Sequence, residues 1–248
     1  MDTPEKEYYN SLIVVVIIVG IVLLYFIITA VRYQRRSLRL HKERIKAEID
    51  TLENERRRIA SDLHDELGPL LSAVKLQINN LETTDASDLL AIDKSSKYID
   101  SIITKLREIS NDLMPNTLLR KGLKNAIVEF VDNSQEAYKL PVKFISEQEF
   151  QLSQDKEINL YRIVQEITHN TLKHAKATML IIKISVQDNR LFLMTADNGV
   201  GFDYFSKIRD NSGLGLRNLQ SRTEVMGGEF NCVSTPEKGT AYTIEIPL

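Results

Sequence analysis

The residue types able to do chemistry fall into two groups, one around His64 and one spread over residues 166–240. In the run RIASDLHDELGPLLSAVK (58–75), Ile59, Leu63, Leu67, Leu70 and Val74 step by three and four, the spacing of one apolar helix stripe. His64 sits at the edge of that stripe. Its neighbours at i−4, i−3 and i+4 are Ala60, Ser61 and Gly68, all small, so the spacing predicts an imidazole standing clear of large side chains. A free imidazole titrates near ~6.5 and offers one lone-pair nitrogen, which suits nucleophilic work at neutral pH. Asp65 follows at once, and Pro69, which has no N–H to donate, predicts a kink one turn past the histidine. Taken alone, the run also reads as a coiled-coil segment with a surface histidine.

The second group opens on the helical stretch YRIVQEITHNTLKHA (161–175). Glu166, Asn170, Lys173 and His174 stand at i, i+4, i+7 and i+8 and predict one shared face. A carboxylate, a carboxamide and a cation on one face suit phosphates and a hydrated magnesium, which takes few protein oxygens. Asp197-Asn198-Gly199-Val200-Gly201 follows a strand directly, and its glycines allow close backbone approach to a ligand. As an isolated run it is also an ordinary turn. Ser212-Gly213-Leu214-Gly215-Leu216 opens a further helix, whose free N–H groups suit an anion. Gly239-Thr240 precedes the last strand.

These residues need elements to hold them. From Leu12 to Val31 the chain carries no charge, and as a helix such a run spans about 30 Å, the thickness of a bilayer's hydrocarbon core. Asp2, Glu5 and Glu7 make the start acidic, and the apolar run is long for a cleaved signal peptide, so it predicts one transmembrane anchor. Arg32, Arg35, Arg36 and Arg39 follow, placing everything after them on the cytoplasmic side and the short N-terminus outside. About ten residues outside are too few for a sensor domain. Leu38, Ile45, Ile49, Leu52, Ile59 and Leu63 keep a heptad-like phase, interrupted by Arg56, and predict a coiled coil leading into the histidine helix. That helix should persist to about Leu81. Residues 82–88 read as a loop with Ser87 or Asp88 as N-cap. A second helix carries Ile92, Ile99, Ile102, Leu106, Ile109 and Leu113 on one stripe and ends at Pro115. A two-helix hairpin with an uncovered stripe predicts a parallel homodimer closing a four-helix bundle.

Beyond Leu118 the pattern changes. Residues 122–137 and 155–175 read as helices, 140–146 as extended, and 178–186 with 190–196 as a hairpin turning at Asp188-Asn189. A helix from about Leu216 to Met226 and two closing strands complete an α/β two-layer sandwich with a mostly antiparallel sheet. The expected layout is 1–11 outside, 12–31 transmembrane, 32–56 linker, 57–116 helical hairpin and 117–248 sandwich. Cys232 is the sole cysteine, which excludes an intrachain disulfide and a cysteine zinc cluster. A net charge of −2 gives no bulk signal for nucleic acid.

In this order and spacing, Glu166 to Asn170, DNGVG, SGLGL and GT resemble the ATP-binding domain of the GHKL (Bergerat) fold, shared by sensor histidine kinases, Hsp90, gyrase and MutL. The DLHDELG run resembles the dimerisation and phosphoacceptor helix of one histidine kinase subfamily, whose partners are mostly response regulators of the NarL/FixJ (LuxR) type. The resemblance covers roughly residues 45–248. It implies a sensor histidine kinase in the cytoplasmic membrane that uses ATP and Mg2+ to phosphorylate itself on His64 and passes the phosphoryl group to a regulator's aspartate.

The same resemblance implies the roles of single residues. Asp65 acts as acid/base beside His64. Asn170 ligates magnesium, and Glu166 places a metal-bound water or assists proton transfer. Lys173 and His174 face the phosphates, Asp197 holds the adenine amine, and Thr240 reaches the base through water. Gly199 and Gly201 shape the pocket. Residues 202–212, with Tyr204, Lys207 and Arg209, form a lid, with Gly213, Leu214 and Gly215 bringing backbone donors to the phosphates. The stimulus would enter through a partner protein, the bilayer or a cytosolic regulator. Many relatives carry glutamine five residues after the histidine; Pro69 stands there instead, which implies weak or differently organised phosphatase activity. Two other readings share the pocket: a GHKL ATPase that couples hydrolysis to conformational change, and a membrane-tethered dimeric scaffold without catalysis.

Overall fold

The computed structural model describes residues 4–114, 116–146, 148–209 and 214–248. Asp2, Pro115, Ser212 and Gly213, which the sequence singles out, lie outside them. The chain divides into two compact units, Met1–Glu48 and Ile49–Leu248.

The first unit is helical and belongs to α1 (Pro4–Asp62). Its apolar side chains are bare, from Leu12 at 50% exposed through Tyr25 at 67% to Val31 at 41%. By length and composition this is a helix able to cross a membrane.

The second unit begins with the rest of α1. A π-helical turn (Leu63–Leu67) leads into α2 (Gly68–Asn79), and α3 (Ala86–Leu113) returns antiparallel to it. At the place where a kink was expected, the helix departs from α geometry in a wide turn over the histidine itself. The cause is Pro69, which enters at the start of α2 with no N–H for the carbonyl of Asp65. The helix ends at Asn79 rather than Leu81. Its successor is capped by Asp85, not by Ser87 or Asp88: the Asp85 carboxylate accepts from the Ser87 N–H at 2.7 Å. Lys75 Nζ donates to Asp100 Oδ1 at 2.5 Å across the hairpin. Ile99 is buried, while Leu67, Leu70, Val74, Ile102 and Ile109 are exposed in the single chain.

A mixed sandwich follows. Helix α4 (Asn116–Tyr138) breaks at Gly122, whose φ of 78° is open to glycine. Strand β1 (Val142–Ser146), helix α5 (Gln154–Asn170), a second π-helical turn (Thr171–Ala175), β2 (Leu180–Gln187) and β3 (Arg190–Asp197) come next. The lid-region helix α6 (Tyr204–Arg209), α7 (Leu214–Val225), β4 (Glu229–Ser234) and β5 (Thr240–Pro247) complete the chain. The sheet order is β1-β2-β3-β5-β4, with β1 parallel to β2 and every other pair antiparallel. Asp188 (φ 50°) and Asn189 (φ 60°) both take left-handed backbone, as a two-residue hairpin turn requires.

Alternation along the strands sorts the sheet into faces. Leu180, Ile182, Ile184, Leu191, Leu193, Ile244 and Ile246 point inward onto α4 and α5, where Leu123, Ile127, Leu160, Ile163 and Ile167 are fully buried. Helix α5 is covered on several sides, so that polar Asn159, Arg162, Gln165 and Thr168 are buried beside its apolar residues. Truncating Ile163 to alanine should cost about 2–5 kcal/mol, seen as a lower melting temperature of the sandwich; an unchanged melting temperature would mean that α5 is not its central helix.

Candidate functional site

A cleft of about 340 Å³ opens where five chain segments come together. Asn170, Thr171, His174 and Ala175 come from the end of α5 and the turn after it, Asp197 from the end of β3, and Gly201 and Phe202 from the loop beyond. Gly215 and Leu216 come from the start of α7, Lys207 from α6, and Thr240 and Tyr242 from the start of β5.

The backbone makes this convergence possible. The Val200 N–H donates to the Ala175 carbonyl at 2.7 Å, pulling the β3 loop onto the end of the α5 turn. A Cβ on Gly199 would lie 2.3 Å from that same carbonyl oxygen, so no other residue fits. Gly201 takes φ 59°, and a Cβ there would meet the Thr235 carbonyl at 2.1 Å. Asn198, within the same loop, serves structure: its Oδ1 accepts from the N–H groups of Thr178 and Met179, and its Nδ2 donates to Thr178 Oγ1.

Asp197 is half-buried and accepts from the Gly199 N–H at 2.9 Å. Burial raises its pKa above the ordinary carboxylate range, against the lowering pull of the Gly199 and Thr240 backbone and the Thr171 hydroxyl. Opposite it, Asn170 Nδ2 donates to Glu166 Oε1 at 3.1 Å, which leaves the amide oxygen of Asn170 as a hard donor for a cation. A Cβ on Gly215 would stand 2.3 Å from Glu166 Oε1 and 3.2 Å from Asn170 Nδ2, so that glycine keeps the pair clear. Among the described residues no group of three or more His, Cys, Asp or Glu could hold a metal ion, so a cation here would need oxygens from the ligand as well.

The structure thus gathers Asn170, His174, Asp197, Gly201, Gly215 and Thr240 around one space, with Glu166 bonded to Asn170 and Gly199 forming the wall behind. Leu214 begins α7. Lys173 is exposed and does not line the cleft: the wide turn over Thr171–Ala175 shifts the helical phase that predicted a shared face. His64 is exposed, and Ser61 Oγ donates to Asp65 Oδ2 at 2.8 Å beside it.

The sequence reading missed Thr171, Phe202, Tyr242 and Ser234. Ser234 Oγ accepts from the Phe202 N–H at 2.9 Å and lies 2.9 Å from Thr240 Oγ1, tying the loop after β3 to the start of β5. Tyr242 was findable, since it shares a strand face with Thr240 at a spacing of two.

The cleft and the sheet that carries it define a nucleotide-binding domain. Residues 155–248 match the family described as "Histidine kinase-, DNA gyrase B-, and HSP90-like ATPase", and residues 55–118 match one described as "Histidine kinase". Residues 155–248 thus carry the pattern of that ATPase family and residues 55–118 that of a histidine kinase family. It is similar to the sensor protein VraS of Staphylococcus saprophyticus, 32% identical over 200 residues, covering 79% of this chain and 56% of that one. It is also similar to VraS of Staphylococcus aureus, 30% identical over 226 residues, covering 84% of this chain and 64% of that one. The chain therefore spans just over half to just under two thirds of these curated relatives. The solved histidine kinase domain of the Erythrobacter litoralis EL346 blue-light activated kinase overlays with a TM-score of 0.49 at 16% identity, covering 75% of this chain and 94% of that one.

Two outcomes follow from the cleft. Gly199→Ala should abolish nucleotide binding by pushing the loop off Ala175; titration with a fluorescent ATP analogue checks this, and parent-like affinity would contradict the close approach. An ionised Asp197 accepts an amine's hydrogen bond more strongly than the protonated carboxyl does. Because its pKa is raised, affinity for adenine nucleotides should fall on acidification at a higher pH than an ordinary carboxylate would give, and Asp197→Asn should remove that step.

Proposed function

We propose that this chain is a membrane-anchored, homodimeric histidine kinase that binds ATP with Mg2+ in the cleft and phosphorylates His64. The single observation that supports it best is the cleft itself, where an asparagine, an aspartate and backbone from a helix start surround one nucleotide-sized space. Asn170 holds the cation through its amide oxygen, and Glu166 orients Asn170 and the water beside it. Magnesium supplies positive charge that offsets the oxygens of the β- and γ-phosphates. Asp197 takes the adenine amine and Thr240 its ring through water. His174, Lys207 and the first N–H groups of α7, Leu214 and Gly215 among them, face the phosphates, with Gly213 beside them. Lys173, exposed next to His174, contributes charge from outside.

The transfer forms an N–P bond from an imidazole nitrogen of His64 to the γ-phosphorus and breaks the β–γ bridge bond, releasing ADP. The N–H proton of the imidazole passes to Asp65. The wide turn over Leu63–Leu67 rotates each residue through a smaller angle than an α-helix does, which favours His64 and Asp65 acting together. Its phosphoramidate then serves an aspartate of a response regulator of the NarL/FixJ (LuxR) type.

In this reading residues 1–11 lie outside and 12–31 span the cytoplasmic membrane. Residues 32–56 link to a dimerisation and phosphoacceptor hairpin over 57–116, and 117–248 bind ATP. The exposed stripe of Leu67, Leu70, Val74, Ile102 and Ile109 closes against a second copy as a four-helix bundle. The stimulus arrives through the bilayer, a membrane partner or a cytosolic one.

Full-length protein in detergent micelles with γ-labelled ATP tests the reading. Acid-labile, base-stable label that His64→Gln abolishes is the expected result. Phosphate release without labelled protein would make the chain an ATPase, and neither signal would leave a scaffold. Pro69 is exposed where a glutamine could orient a water. Pro69→Gln should therefore speed dephosphorylation of the regulator in the presence of ADP, and fast dephosphorylation by the parent would contradict this.

A further inference from the structure

Three charged side chains are buried together in the second unit, away from the cleft: Glu53 at 9% exposed, Arg162 at 5% and Arg222 at 7%. Glu53 lies on α1, roughly three helical turns before His64. Its Oε2 accepts from Arg162 Nε at 3.0 Å, and its Oε1 accepts from Arg222 Nη2 at 2.7 Å. The arginines belong to α5 and α7, the two helices that frame the cleft. Arg162 also donates through Nη1 to the carbonyl of Asp112 at 2.9 Å and to Gln165 Oε1 at 2.8 Å, and through Nη2 to the carbonyl of Leu113. Arg222 Nη1 donates to Asn159 Oδ1 at 2.9 Å. One stalk carboxylate and the C-terminal carbonyls of α3 therefore grip both helices at once. Arg56, whose charge broke the heptad pattern, is drawn to Glu53 at 3.6 Å.

Burial works to raise the pKa of Glu53, yet Arg162 and Arg222 hold it below the usual carboxylate range, so the group stays charged at neutral pH. Removing one member of such a buried set leaves charge without a partner, so the set resists partial opening. While it is made, His64 is exposed and does not line the cleft. Attack on a γ-phosphate needs the imidazole within about 3–3.5 Å of phosphorus. The same imidazole must later meet a regulator, so a lobe fixed to the stalk cannot serve both steps.

We propose that Glu53, Arg162 and Arg222 form a latch by which the stalk holds the ATP-binding lobe in a resting arrangement, opened when α1 turns and carries Glu53 off the arginine pair. This rests on the kinase reading of the cleft and adds the regulation of that site. Glu53→Gln keeps the size and removes the charge; Arg222→Lys keeps the charge and removes the forked donation. Neither residue touches the cleft.

The full chain in lipid nanodiscs carries both tests. In each variant the initial rate of His64 labelling from γ-labelled ATP should rise roughly fivefold or more, with affinity for a fluorescent ATP analogue unchanged, and Glu53→Asp should stay near the parent. Spin labels at Lys97→Cys and Lys238→Cys, in a Cys232→Ser background, should show a broadened stalk-to-lobe distance distribution. A merely structural role would lower the rate, never raise it. Equal or slower labelling with intact nucleotide binding overturns the latch, and so does an unchanged distance distribution. If the parent takes no label, the kinase reading fails, and the distance measurement still decides the latch.

Discussion

The cleft depends on two backbones meeting with no side chain between them. The end of the α5 turn and the loop after β3 touch through one hydrogen bond, from Val200 N–H to the Ala175 carbonyl, and Gly199 permits it. An added methyl would push the loop outward, and Asp197 would leave the space that Asn170 borders. The Val200 to Ala175 bond is 2.7 Å long, at the short end of the backbone N–H···O range. The arrangement sets a carboxylate and a carboxamide around one cleft, with Lys207 from the short helix α6 also lining it.

At the other end of the chemistry stands a histidine on a distorted helix. Proline is usually read as a helix breaker at its own position, but here its effect falls upstream. The carbonyl it cannot satisfy belongs to Asp65, and the chain widens over Leu63–Leu67. The turn that carries the candidate nucleophile is therefore not a regular α-helical one. Ser61 and Asp65 pair across it, which fixes the carboxylate on a surface where it would otherwise swing freely.

Much of this was legible in the residues because local rules decided it. The Asp188-Asn189 hairpin, the strand alternation of β2 and β3, the cleft glycines and the apolar N-terminal run all follow from backbone preference or simple periodicity. The misses have two causes, local departures from regular helix and long-range geometry. Lys173 was placed on the cleft face by counting 3.6 residues per turn through a segment that does not keep that count. The Asp85 cap was passed over because three neighbouring polar residues compete and the choice depends on where α3 begins. The buried Glu53, Arg162 and Arg222 set was invisible, since its members are far apart in sequence and each alone looks like a solvated charge.

The account comes down to one imidazole receiving phosphate from a nucleotide held in the cleft. The most direct measurement is phosphopeptide mapping by mass spectrometry, under alkaline conditions that preserve phosphoramidates, after the full chain has reacted with ATP and magnesium. The account predicts phosphate on His64 and none on His41, His169 or His174. Phosphate on one of those three, or on a hydroxyl side chain, would contradict it.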